Sequence, residues 1–347
     1  MRKTVSLLLM LALLTVAVSA FAQATPTPDC PPPPSGGQPP AGGPPPGGIP
    51  EGCLPPGGMA FGMAGESYPP THADLAYAEL SEAQKLDLFI PEGEGPFPLV
   101  VFVHGGAFRA GDKAMQANDV EPLLAAGYAV ASINYRLSGE AIFPAQIEDA
   151  KAAVRWLRAN AETYALDPER FASWGASAGG NIAALLGTTG DVAEFDNAEL
   201  GNIEFSSRVQ ATVDWFGPID FGLMDAQFAA DETCDAGAES HNAADSPESV
   251  LVGGEVQSML DVVAAANPVT YVSEDTPMFF IQHGSLDCTV PPAQSQLLYD
   301  AIVDLLGEDH ASLTYFPEAG HGGNEFSDAA NMAEVVAFLD KALNVTR

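Results

Sequence analysis

From Leu99 to Val103 the chain runs Leu-Val-Val-Phe-Val without a polar break. A strand with no polar face must be covered on both sides, so this segment belongs inside a sheet flanked by other layers. Similar runs follow at Tyr128 to Ile133, Phe171 to Trp174, Met278 to Ile281 and Leu313 to Phe316, and Val209, Ala211, Val213 and Trp215 alternate as a further strand. Between them, apolar residues recur at three- and four-residue steps. One set is Ile147, Ala150, Val154, Leu157, Ala161 and Tyr164; others are Leu297, Leu298, Ile302, Leu305 and Leu306, and Met332, Val335, Val336, Leu339 and Leu343. Strands alternating with helices predict an α/β fold, a mostly parallel central sheet with helices on both faces. Upstream, Leu75 to Leu80 and then Leu86, Leu88 and Ile90 predict paired antiparallel strands ended by Pro91. The rhythm breaks from Ile219 to about Ser246, a polar, acidic stretch that reads as a functional or mobile loop.

The start of the chain has a different composition. Met1-Arg2-Lys3 is a short basic segment, and Val5 to Val18 is apolar but too short to span a bilayer comfortably. Ala20-Phe21-Ala22 then supplies small residues for a signal peptidase, so residues 1–22 read as an export signal cleaved before Gln23. Residues 23–58 hold 14 Pro and 9 Gly in 36 positions. That composition removes backbone donors and maximises chain entropy, so residues 23–67 are expected to be a disordered, partly extended linker. The folded domain is expected over 68–347, in a protein secreted to the extracellular space or periplasm and free of the membrane once the signal is cut.

With 13 Lys+Arg against 46 Asp+Glu the formal net charge is −33. Such a field repels nucleic acid and anionic lipid, which excludes both as partners. The four cysteines of an exported chain allow three pairings. Sequence proximity favours Cys30–Cys53 and Cys234–Cys288, the second closing a long loop; buried free thiols are the alternative. No paired His at helical spacing and no Cys cluster suggests a metal site, and no cofactor is implied.

The chemistry is carried by four short motifs. Gly175-Ala176-Ser177-Ala178-Gly179 follows one predicted strand and opens an apolar helix, the context that makes G-x-S-x-G a nucleophile elbow. Small neighbours let the turn close and push the Ser177 hydroxyl out beside a helix N-terminus. His104-Gly105-Gly106-Ala107-Phe108 comes directly after the Leu99 to Val103 strand. Its small residues can turn peptide N–H groups toward an oxyanion, with Gly106, Ala107 and Ala178 as donors. His104 is assigned to holding that loop. Asp287 lies past the Met278 to Ile281 strand and His321 past the Leu313 to Phe316 strand, so Ser177, Asp287 and His321 follow the order of a hydrolase triad. Each falls at the strand edge where such sheets bind ligands. Among the other histidines, His72, preceding the sheet, and His310, at a helix end, are expected at the surface, and His283 is expected to be structural. His241 is either a lid residue or solvated. Glu318 competes with Asp287 as the acid, with poorer placement.

The span from about Thr71 to Leu343 resembles the α/β-hydrolase superfamily, and within it the BD-FAE group of carboxylesterases and feruloyl-esterase-like enzymes, near the hormone-sensitive-lipase-like esterases. The resemblance rests on His104 to Phe108, Asn134-Tyr135-Arg136, Phe143-Pro144-Ala145 with Asp149, Trp174 to Gly180, Trp215 to Asp220, Asn267-Pro268, His283 to Asp287 and Gly320-His321. Ala107 stands where the hormone-sensitive-lipase type usually has a third Gly, a change that keeps the backbone donor. The resemblance implies an α/β-hydrolase fold and acyl transfer from a carboxylic ester through Ser177. Phe108, Trp215 and Phe216 are expected to wall the substrate pocket, with ordinary core as the alternative for Trp215. Export favours small-molecule or polymeric substrates outside the cell: short-chain, aromatic feruloyl-like or polyester. Two rivals remain, a serine peptidase of the prolyl-oligopeptidase type, which usually carries a large N-terminal propeller, and a non-catalytic binding module on a hydrolase fold.

Overall fold

A computed structural model describes residues 68–346 apart from 232 and 235–239. The export signal over 1–22, the linker over 23–67 and the Cys30–Cys53 pairing lie outside the described residues. The elements run β1 (His72–Ala76), β2 (Lys85–Phe89), β3 (Phe97–Val103), α1 (Ala117–Ala125), β4 (Ala129–Ile133), α2 (Ala145–Ala159), β5 (Leu166–Ala176) and α3 (Ala178–Thr188). They continue with β6 (Ala211–Trp215), α4 (Met224–Ala230), α5 (Pro247–Val252), α6 (Leu260–Ala265), β7 (Met278–Gly284), α7 (Ala293–Leu306), β8 (Ala311–Phe316), α8 (Asn324–Ser327) and α9 (Ala329–Ala342).

Among the described residues the strands form one sheet in the order β1-β2-β4-β3-β5-β6-β7-β8. The first two pairings, β1 with β2 and β2 with β4, are antiparallel, and all the others are parallel. The reading of β3 as covered on both faces holds. Leu99, Val101 and Val103 pack in one layer with residues of α2 and α3, while Val100 and Phe102 pack in the other with α1 and α9. This is the period of two acting on an all-apolar strand. Each such buried side chain contributes about 1.5–3 kcal/mol relative to exposure. A third cluster joins Phe279 and Ile281 of β7 to Leu298 and Ile302 of α7. No described helix is long and apolar enough to cross a membrane.

Three expectations need correction. The first strand lies at His72–Ala76 instead of Leu75 to Leu80. The chain turns from Tyr77 onward, where Tyr77 N–H donates to the Gln84 carbonyl and Gln84 N–H to that of Ser81. His72 therefore opens the sheet rather than preceding it, although it is exposed as expected. Helix α2 stops at Ala159, so Ala161 and Tyr164 lie beyond it. The stretch from Ile219 is partly helical: Asp220 accepts from Gly222 N–H to cap a 3-10 turn that leads into α4. His241 in that stretch is buried, stacked on Phe228 and 3.0 Å from Glu248, so it is not solvated.

Candidate active site

The parallel strands β3, β5, β6, β7 and β8 all end on one edge of the sheet, and the motifs sit just past those ends. Ser177 forms the junction between β5 and α3 with φ 58° and ψ −126°. A non-glycine residue at positive φ is strained and persists only where the surroundings fix it. Here Ser177 N–H donates to the Trp215 carbonyl, and Asn181 N–H donates to the Ser177 carbonyl. The glycines of the motif are steric requirements. A methyl on Gly175 would run into the Gly179 carbonyl, and one on Gly179 would run into the carbonyls of Val103 and His104.

The loop after β3 passes directly beside the serine: a methyl on Gly105 would lie 3.3 Å from Ser177 Cβ. Gly106, Ala107 and Phe108 follow with φ of 113°, 55° and 58°, three successive residues in the left-handed region. The Gly106 carbonyl closes the turn by accepting from Arg109 and Ala110, each at 3.0 Å. Among the described residues no acceptor faces the N–H of Gly106, Ala107 or Ala178. His104 is occupied in holding the loop. Its Nδ1 lies 2.8 Å from the Gly105 carbonyl, and its ring stacks on Tyr135 at 4.4 Å. Burial lowers its pKa, which keeps the ring neutral.

The acid and imidazole loops are joined to each other. A methyl on Gly284 would collide with the carbonyls of Ala319 and Gly320, so glycine lets the two loops cross. Ser285 N–H donates to Phe316 and Leu286 N–H to Ala319, both at 2.9 Å. The crossing brings His321 Nε2 to 2.8 Å from Ser177 Oγ and His321 Nδ1 to 2.7 Å from Asp287 Oδ2. Three residues read from separate motifs thus form one continuous hydrogen-bonded chain. Glu318 is exposed and takes no part in it.

Asp287 is fully buried. Its Oδ1 accepts from the backbone N–H groups of Thr289 (2.8 Å) and Val290 (2.9 Å). Burial opposes its charge, but the charge of His321 and the hydrogen bonds from His283 and His321 outweigh it and hold the carboxyl well below its usual range. The His283 contact is the part that sequence reasoning missed: its Nε2 lies 3.1 Å from Asp287 Oδ2. The available signal was spacing, since the imidazole closes β7 four residues before the acid.

The three aromatic residues expected to wall a pocket separate. Phe108 is buried and meets Phe221 edge-on at 6.0 Å. Phe216 lies edge-on to the His321 ring at 4.8 Å and so backs the imidazole. Trp215 belongs to the core instead, packed against Trp174 at 4.8 Å and Phe326 at 5.4 Å. Its side chain alternates off β6 to the α9 side of the sheet, which is the physical reason for the correction. Cys234 and Cys288 form a disulfide with Cα atoms 5.5 Å apart. Cys234 Sγ lies 3.6 Å from the Asp287 carbonyl, so the bond ties the segment after α4 to the acid loop.

Comparison with known proteins agrees with this architecture. The chain is 33% identical over 234 residues to the probable carboxylic ester hydrolase LipM of Mycobacterium tuberculosis, covering 66% of this chain and 51% of that protein. Esterase LipC of the same organism is 32% identical over 228 residues, covering 65% and 53%. The chain thus spans about half the length of these curated relatives. Among solved structures, a truncated carbohydrate esterase from gut microbiota is 32% identical with a TM-score of 0.72, covering 81% of this chain and 99% of that one. The bifunctional GH43-CE of Bacteroides eggerthii is 35% identical with a TM-score of 0.69, covering 78% of this chain and 35% of that one. Esterase 2 of Thermogutta terrifontis, at 22% identity and a TM-score of 0.61 over 78% of this chain and 95% of that one, shares the fold. The fold is that of the α/β-hydrolases. A family model described as BD-FAE matches residues 86–302, a span that takes in the elbow serine and the acid loop. Extending over more than half of the chain, that match shows that the protein belongs to the BD-FAE family.

Proposed function

We propose that this chain is an exported serine carboxylesterase that hydrolyses carboxylic esters through an acyl-enzyme. The observation that carries the reading is the Ser177–His321–Asp287 relay, with hydrogen-bond distances of 2.8 and 2.7 Å. His321 Nε2 takes the Ser177 proton as Oγ attacks the ester carbonyl. Asp287, held ionised by its surroundings, fixes the Nδ1–H tautomer of His321 and stabilises the imidazolium that forms. The developing oxyanion is met by the N–H groups of Gly106, Ala107 and Ala178, where one such donor contributes about 3–4 kcal/mol in the transition state. His321 next returns the proton to the leaving alcohol, and water repeats the cycle on the acyl-enzyme.

The names of LipM and LipC and the carbohydrate-esterase neighbour support ester bonds as the target. For the acyl group, membership of the BD-FAE family favours short-chain or feruloyl-like acids, and export makes esters of an extracellular polymer the natural source. Fluorophosphonate labelling confined to Ser177, with loss of 4-nitrophenyl acetate hydrolysis in Ser177→Ala, is the expected result. Turnover persisting in that variant refutes the mechanism. A panel of acyl chain lengths with methyl ferulate and a soluble polyester tests the substrate class, and a preference for long chains refutes it.

A further inference from the structure

His283 is completely buried, and each of its ring nitrogens has a defined partner. Nε2 lies 3.1 Å from Asp287 Oδ2 and 3.0 Å from the Val290 carbonyl. A carbonyl only accepts, so Nε2 carries the hydrogen. Nδ1 lies 2.7 Å from Ser295 Oγ on α7 and shares a hydrogen bond with that hydroxyl. The ring is thereby held by groups from two parts of the fold, and its Nε2 hydrogen is shared between the backbone of the acid loop and the acid itself.

Asp287 then accepts four hydrogen bonds, two on each oxygen. The Thr289 and Val290 amides hold Oδ1, and both imidazoles meet at Oδ2. The backbone bonds alone leave the carboxylate free to rock about the Oδ1 end. The His283 hydrogen pins the other oxygen, the one that faces His321. Asp214 at the end of β6 is the other titratable group that faces His283, and its carboxyl is buried and held by Gly217 N–H.

We propose that His283 is a positioning residue for the acid: it aims Asp287 Oδ2 at His321 and has no contact of its own with the reacting atoms. This rests on the relay reading above. A carboxylate turned away from His321 leaves the imidazole badly oriented toward Ser177, and small misplacements in such relays reduce rates steeply.

The test compares His283→Leu, which removes the donor, with His283→Gln, whose side-chain amide nitrogen can reach the Nε2 position. Hydrolysis of 4-nitrophenyl acetate is followed alongside Ser177→Ala and Asp287→Asn, with circular dichroism and melting curves on every variant. In His283→Leu, kcat should fall about 10- to 100-fold with KM within about twofold of wild type. His283→Gln should recover most of that loss although its melting temperature falls by a similar amount. A Leu variant with kcat within twofold of wild type, or a Gln variant as impaired as Leu, overturns the proposal. Failure of Ser177→Ala to abolish turnover overturns the relay itself, so the two failures are distinguishable. If the Leu variant does not fold, the Gln variant with Ser295→Ala decides. Wild-type kcat in Ser295→Ala, with His283→Gln as slow as Asp287→Asn, also refutes it.

Discussion

The Cys234–Cys288 disulfide closes a loop of 54 residues that contains α5, α6 and β7. Replacing both cysteines by serine removes the crosslink without leaving a free thiol. In the chain-entropy model, a loop of that length restricts the unfolded chain by about 14 cal/mol/K, or about 4 kcal/mol at 25 °C. A folded unit of roughly 280 residues unfolds with about 0.6 kcal/mol/K of entropy, so the loss corresponds to a melting temperature lower by about 7 °C. Activity should fall much less, by about threefold or under, because Asp287 is held by the Thr289 and Val290 amides and by His283 independently of the crosslink. Differential scanning calorimetry under oxidising conditions measures the shift, and dithiothreitol should reproduce it in wild type but leave the double variant unchanged. A melting shift under about 2 °C in the double variant refutes the entropic argument. A loss of kcat above about 100-fold refutes the claim that the acid is held without the bond.

Asp214 gives a pH-dependent prediction. Burial raises its carboxyl to about 6, against the hydrogen bond from Gly217 N–H and the charge of His283. The folded state therefore binds a proton that the unfolded chain releases at about pH 4, and this contribution is complete below that pH and lost as pH rises toward 6. Relative to wild type, Asp214→Asn should gain about 3 kcal/mol between pH 4 and pH 7 in urea denaturation, and a constant difference across that range refutes the assignment. Gly179→Ala drives a methyl into the Val103 and His104 carbonyls. It should cost about 2 kcal/mol or more and deform the elbow, read as lost stability together with slowed fluorophosphonate labelling of Ser177; wild-type labelling refutes the steric argument. Gly105→Ala places its methyl against the Ala176 carbonyl and Ser177 Cβ. Its effect should fall on kcat by about tenfold with a melting change of a few degrees, and an unchanged kcat refutes the closeness of that loop.

The sequence made the parallel strands and the relay readable because both are written in local patterns. Continuous apolar runs mark strands covered on both faces, and each relay residue falls just past one of them. Helices α5 and α6 escaped because six residues are too few for a helical period to stand out. The first strand shifted because the turn that ends it is set by hydrogen bonds among Tyr77, Ser81 and Gln84. Trp215 looked like a pocket residue from its place at a strand end. The alternation along β6 decides which side of the sheet the indole takes, and the core side held room for it beside Trp174. His283 was legible as structural, while its contact with Asp287 depends on how the chain bends after β7, a matter of tertiary geometry.

The backbone bonds from Ser285 to Phe316 and from Leu286 to Ala319 weld two neighbouring connections into a single body at the margin of the sheet. Carboxylate and imidazole therefore travel together when that margin fluctuates, while the nucleophile stays with the interior strand β5. The hydroxyl–imidazole contact is thus the link between two separately anchored stretches of backbone, whereas the imidazole–carboxylate contact lies within one.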